Sequence, residues 1–136
     1  MKKAMVITLV LLLSNTVAWA DEEIKCNHDG NQAELNVCAY EDYQAADKKL
    51  NDTWKSLMTK YKAEKTATAK LKAAQKAWIA FRDAEMDAMF ACEEDDVQTC
   101  WGSMYPLLLN SELQTMTEAR TQQLQKYIDE GLGSGL

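Results

Sequence analysis

Proline and histidine are almost missing from this 136-residue chain, which has one of each, Pro106 and His28. A single proline leaves long stretches with nothing to break a helix. A single histidine near Cys26, on a stretch without helical pattern, gives a Ser-His-Asp arrangement nothing to build on. No Cys-x-x-Cys pair occurs, so the usual ligand spacing of a zinc site is lacking. A glycine-rich phosphate loop is absent too. No strand-like alternation of useful length appears, which argues against a sheet. Four of the five glycines lie at Gly30 and in the last six residues, where they read as ends and not as interior breaks.

What is present starts with an export signal. Lys2 and Lys3 precede an apolar run from Ala4 to Leu13, and Ala18-Trp19-Ala20 follows as a small-x-small cleavage site. This reads as a signal peptide over residues 1–20, too short in its apolar part to span a bilayer. Cleavage after Ala20 leaves one domain over residues 21–130 and a flexible tail over 131–136. No later apolar run is long enough for a membrane helix, so no membrane insertion is expected after cleavage. Cys26 lacks a lipidation context. The expected location is periplasmic or secreted.

Loss of Lys2 and Lys3 takes the net charge from −6 to −8. Such an acidic domain is a poor match for nucleic acid, whose phosphates need clustered Lys and Arg. It suits a cationic protein partner, although acidity for solubility alone is the commoner case. All four cysteines (Cys26, Cys38, Cys92 and Cys100) lie beyond the signal, and an even count in an exported chain implies disulfides. Three pairings are open. The simplest joins 26 to 38 and 92 to 100, each staple contributing roughly 3 kcal/mol less any strain.

The remaining chain is helical. Asn31 with Glu34 three residues on makes a capping-box start, opening a short helix to about Cys38. Ala46, Leu50, Trp54, Leu57, Met58 and Tyr61 then recur at three- and four-residue steps. Thr66 and Thr68 offer caps for the next helix, although nothing there forbids a continuous one. That helix carries Leu71, Ala74, Trp78 and Phe81 and continues to about Phe90. Residues 92–103 lack apolar periodicity and read as a loop. Pro106 suits the first turn of a last helix, and Gly131 its end. The fold class is all-α: a small antiparallel bundle of three long helices plus a short N-terminal one, stapled by disulfides.

Polar residues interrupt the apolar stripes at Asp47, Asn51, Gln75, Arg82, Asp83 and Arg120. Packing can bring Asp47 or Asp83 to Arg82 or Arg120, and a buried charge must be paired. We read this set as a structural polar network that fixes helix register. A catalytic pair of carboxylates is disfavoured, since no sugar-binding cleft is evident; the chain is expected not to be an enzyme, with no catalytic residue, metal or cofactor. The acidic loop is the better recognition element. Glu93, Glu94, Asp95 and Asp96 lie between Cys92 and Cys100, with Trp101 following. Stapling would lower the entropy lost on binding, carboxylates would steer a basic partner, and Trp101 would either anchor it or fold back as a lid. A calcium loop lacks the needed ligand alternation.

The strings QAELNVC (32–38), ADKKLN (46–51), QKAWIAFRDAE (75–85) and MTEARTQQL (116–124) together resemble the LprI-like lysozyme inhibitor domain family. The resemblance implies a small exported bacterial protein of helical fold that binds lysozyme. Many members carry a cysteine where Met86 stands, and its mate near Glu112. In this chain a staple within the connecting loop would replace that link between helices. The leading expectation is non-covalent occlusion of a cationic muramidase. The alternative is an envelope structural or interaction protein, in stress survival or as a toxin partner, with no inhibitory activity.

Overall fold

The computed structural model describes residues 23–133; the expected signal peptide and residues 134–136 lie outside them. Helix α1 spans Gln32–Lys60, α2 Lys65–Met89, α3 Val97–Trp101 and α4 Tyr105–Asp129, with a 3-10 turn at Gly102–Met104. The described residues contain no strand.

Helix α1 starts where its capping residues dictate. Asn31 Oδ1 accepts from the Ala33 and Glu34 amides, and the Glu34 carboxylate returns to the Asn31 amide at 2.7 Å. Gly30 is required beside this box, because a Cβ there would sit 2.2 Å from Glu34 Oε2. From Asn31 the helix runs unbroken to Lys60. The short N-terminal helix expected over 32–38 is therefore the opening of α1, because nothing between Cys38 and Tyr43 interrupts the backbone ladder.

A turn at Tyr61–Glu64 reverses the chain. Thr68 does not cap α2; its hydroxyl donates back to the Tyr61 carbonyl at 2.8 Å, and the N-cap position falls to Glu64. Pro106 occupies the first turn of α4. Gly131, at φ 96°, takes the left-handed conformation that ends it. Leu132, in the expected tail, donates its amide to the Tyr61 hydroxyl at 3.2 Å.

Consecutive long helices run antiparallel, so α1 and α4 run parallel. Asn36 donates to the Ser103 carbonyl at one end of that pair, and Tyr61 Oη to the Tyr127 carbonyl at the other. These two helices pack closest. Ala39, Ala46 and Thr53 recur every seven residues on α1 and are buried, as are Thr117 and Thr121 of α4. Small side chains let the two backbones approach. The apolar core proper lies toward the α1–α2 turn, where Leu50, Leu57, Tyr61, Leu71 and Leu124 cluster, flanked by Trp54, Trp78 and Ile128. At roughly 25 cal/mol per Å² of apolar area, these buried leucines supply most of what drives the bundle together.

Candidate functional site

The polar set within the helical stripes is divided into three pairs, two of them within one helix. Asp47 accepts from Asn51 Nδ2 at 2.9 Å, within one helix. Arg82 donates from Nε and Nη2 to Asp83 Oδ1 at 2.9 and 2.7 Å, its own side chain 13% exposed and that of Asp83 58%. Arg120 donates from Nε to Gln75 Oε1 at 3.0 Å, and from Nη1 to Gln123 Oε1. The Trp78 ring joins the last two sets, with the Arg82 and Arg120 guanidinium carbons 5.5 and 5.8 Å from its centroid.

Of the hydrogen bonds in this set only Arg120–Gln75 bridges helices. Among the pairings open to Asp47 or Asp83 with Arg82 or Arg120, the structure has Asp83 with Arg82, within one helix; among the described residues no acid lies within ion-pair distance of Arg120. Asp47 and Asp83 each turn to a neighbour on their own helix. Arg120 is nonetheless buried, and burial pulls its pKa below the usual value, with Tyr127 opposing weakly. Two amide oxygens and the Trp78 π-face stand in for a counter-ion, which suits a delocalised guanidinium and would suit an ammonium poorly.

Both disulfides join the cysteines nearest in sequence, Cys26 to Cys38 and Cys92 to Cys100. Cys26, His28 and Cys38 place their ligand atoms within 4.8 Å of one another. Both sulfurs of that group are held in the disulfide, which leaves one imidazole.

The second staple shapes the loop between α2 and α4. Asp96 Oδ1 accepts from the Gln98 amide at 2.9 Å and so caps α3; Glu93, Glu94 and Asp95 are exposed. Trp101 folds back, its ring edge-on to Phe90 at 5.2 Å. Tyr105 meets the same Phe90 at 5.6 Å. The indole N–H of Trp101 is buried without a protein partner, which costs about 1–3 kcal/mol against the gain from burying the ring. Beside this loop lies one open feature, lined from the loop by Cys92 and Val97 and not by Glu93, Glu94, Asp95, Asp96 or Trp101. An open groove of about 560 Å³ runs between the end of α2 and the start of α4, floored by Met86, Phe90, Leu109 and Leu113 and rimmed by Asp83 and Asp87. Met86 is buried there.

A family model described as "Lysozyme inhibitor LprI" matches residues 24–124. The chain belongs to the LprI lysozyme-inhibitor family. The LprI match takes in the capping box, both disulfides, the Arg82 and Arg120 clusters and the acidic loop. An uncharacterised protein of Rhizobium meliloti (strain 1021) is 32% identical over 118 residues, covering 79% of this chain and 81% of that protein. No solved structure matches. LprI is an inhibitor family and not a catalytic one. Among the described residues no helix is long and apolar enough to cross a membrane.

Net charge conceals a feature of the site that a count by segment reveals. Residues 83–119 contain nine acids and no lysine, arginine or histidine, whereas residues 48–76 contain nine lysines and two acids. The bundle folds most of each segment into its own half, and the two meet where Lys49 lines one depression with Asp42 and Glu118. Groove and acidic loop share the acid-rich half with Glu34, Glu41 and Asp42 of α1; the leucine core shares the other half with the lysines and with Asp129 and Glu130, since the end of α4 lies against Lys60 and Tyr61.

Proposed function

We propose that the chain is an exported inhibitor, periplasmic or secreted, that binds a cationic muramidase and covers its cleft without a covalent step. One observation carries this reading beyond family membership: an open apolar groove rimmed by Asp83 and Asp87, next to the stapled acidic loop, with no cation in sequence from Asp83 to Ala119. Carboxylates gathered on one side attract a basic enzyme and speed encounter. Anchoring then comes from apolar contact. Tyr40, Phe81, Met89 and Met104 are each more than two-fifths exposed in the same half, and such side chains at the centre of an interface supply most of its energy. Trp101 supports the groove wall from behind, and the Arg82–Asp83 pair fixes one rim carboxylate.

The test is a panel of C-type, G-type and bacterial lysozymes assayed with the purified chain at micromolar excess. We expect lysis by at least one class to be inhibited. Replacing Glu93, Glu94, Asp95 and Asp96 with their amides should weaken that inhibition by about tenfold or more at low salt and less at high salt. Full lytic activity across the panel overturns the reading. A pull-down from periplasmic extract that captures a protein other than a muramidase would support the envelope-interaction role in its place.

A further inference from the structure

The acid-rich half has a counterpart that inhibition does not use. Around the α1–α2 turn the chain presents Lys48, Lys49, Lys55, Lys60, Lys62, Lys65, Lys70, Lys72 and Lys76, all exposed. Within this group Lys48 and Lys55 share the single carboxylate of Asp52, and Lys60 donates to the Ile128 carbonyl. The other six have no ion pair among the described residues. On a protein of net charge −6, six lysines outside any ion pair on one helical hairpin are not accounted for by solubility, because acids would serve that end without opposing the rest of the molecule.

The composition of this half defines its partner. Every cation of residues 48–76 is a lysine, a point charge on a flexible stem, and arginine forks suited to one fixed phosphate are missing. Of the seven large exposed apolar side chains among the described residues, only Leu132 falls in this half, which gives it little to insert into hydrocarbon. Lys65, Lys72 and Lys76 follow at steps of seven and four and share one face of α2. Mobile point charges without arginine forks match a diffuse anionic layer better than one fixed, shaped ligand. A second copy of the chain fits poorly, since two molecules of this net charge repel.

We propose that the lysine-rich end of the bundle adsorbs to an anionic phospholipid surface, which orients the acid-rich half away from the membrane. Each lysine near such a surface contributes favourably, and the attraction fades within a Debye length. This inference does not depend on what the acid-rich half binds.

Co-sedimentation with vesicles tests it. The chain is purified after export, its N-terminus read by mass spectrometry, and mixed with vesicles of phosphatidylglycerol and phosphatidylcholine or of phosphatidylcholine alone. We expect binding to the anionic vesicles only, lost at high salt. Replacing Lys62, Lys65, Lys70, Lys72 and Lys76 with glutamine should lower the bound fraction about tenfold or more; circular dichroism checks that the variant stays helical. No binding to anionic vesicles overturns the proposal. Binding that survives both high salt and the substitutions overturns it too, as apolar insertion. Retention on an anionic polysaccharide without any vesicle binding would assign the face to a glycan and also defeat it.

Discussion

The two halves of this bundle are held together by different means. Toward the α1–α2 turn, Leu57 and Leu124 are fully buried within a continuous apolar cluster. Toward the α2–α4 loop, Ala39, Cys38, Met86 and Phe90 are buried beside an open groove, and both disulfides lie in this half. The lysine-rich half is thus fixed by burial and the acid-rich half by covalent staples. A surface that must leave an apolar groove open to a partner cannot also bury those side chains, and cross-links restore the order that packing gives up.

This contrast breaks most visibly in the cores. Leu57→Ala should destabilise the protein by about 2–5 kcal/mol in urea titration, and Met86→Ala by an amount near the bottom of that range, because solvent can fill the space at the groove. Equal losses would abolish the distinction between the halves. The staples come next. Replacing Cys92 and Cys100 with serine should cost about 2.5 kcal/mol on the chain-entropy estimate, with hydrogen exchange rising at α3 and the start of α4 while Leu57 and Leu124 stay protected. Uniform loss of protection would mean that both halves unfold as one.

The boundary between the halves is Arg120. Arg120→Ala leaves Gln75 Oε1 without its inter-helix donor and should cost about 1–3 kcal/mol by thermal melting. Arg120→Lys should recover little, since an ammonium cannot serve Gln75, Gln123 and the Trp78 face together. Unchanged stability in Arg120→Ala would remove its role in joining α2 to α4. The smallest effect concerns Tyr43, whose pKa is raised above 10.0 by burial, with Asp47 and Asp83 adding to the rise and Arg82 opposing it. The neutral phenol is therefore favoured in the folded state. Its contribution is complete below pH 10 and is lost as pH climbs through the folded value. Tyr43→Phe should flatten the alkaline arm of a stability–pH curve above about pH 10 and leave the neutral region unchanged.

Local signals in the sequence were accurate at most helix ends, the start of α2 at Glu64 in place of Thr66 or Thr68 being the exception. The Asn31–Glu34 box, Pro106 at the start of α4 and Gly131 at its end concern contacts within four residues, and each is in the expected place. Of the three cysteine pairings left open, the structure has the simplest, which joins neighbours in sequence. Arg120 is the instructive failure. Its burial is legible from the helical stripe, yet its partners are two amides and an indole, because the acids Asp47 and Asp83 found neighbours on their own helices first. The groove had no signal at all in Met86, Phe90 or Leu109.

The segregation of charge was present in the sequence as runs of lysine and of acid, but it acquires meaning only when helices turn those runs into opposite ends of one body. By itself the sequence determined the three long helices, the cap at Asn31 and the family, because each rests on periodicity or on contacts a few residues apart. Tertiary structure alone decided that α1 and α4 pack closest and run parallel, that Arg120 meets Gln75, and that an open groove faces the acidic loop. Those outcomes depend on how small residues such as Ala46 and Thr117 let two backbones approach, a property of surfaces brought together and not of any stretch of chain.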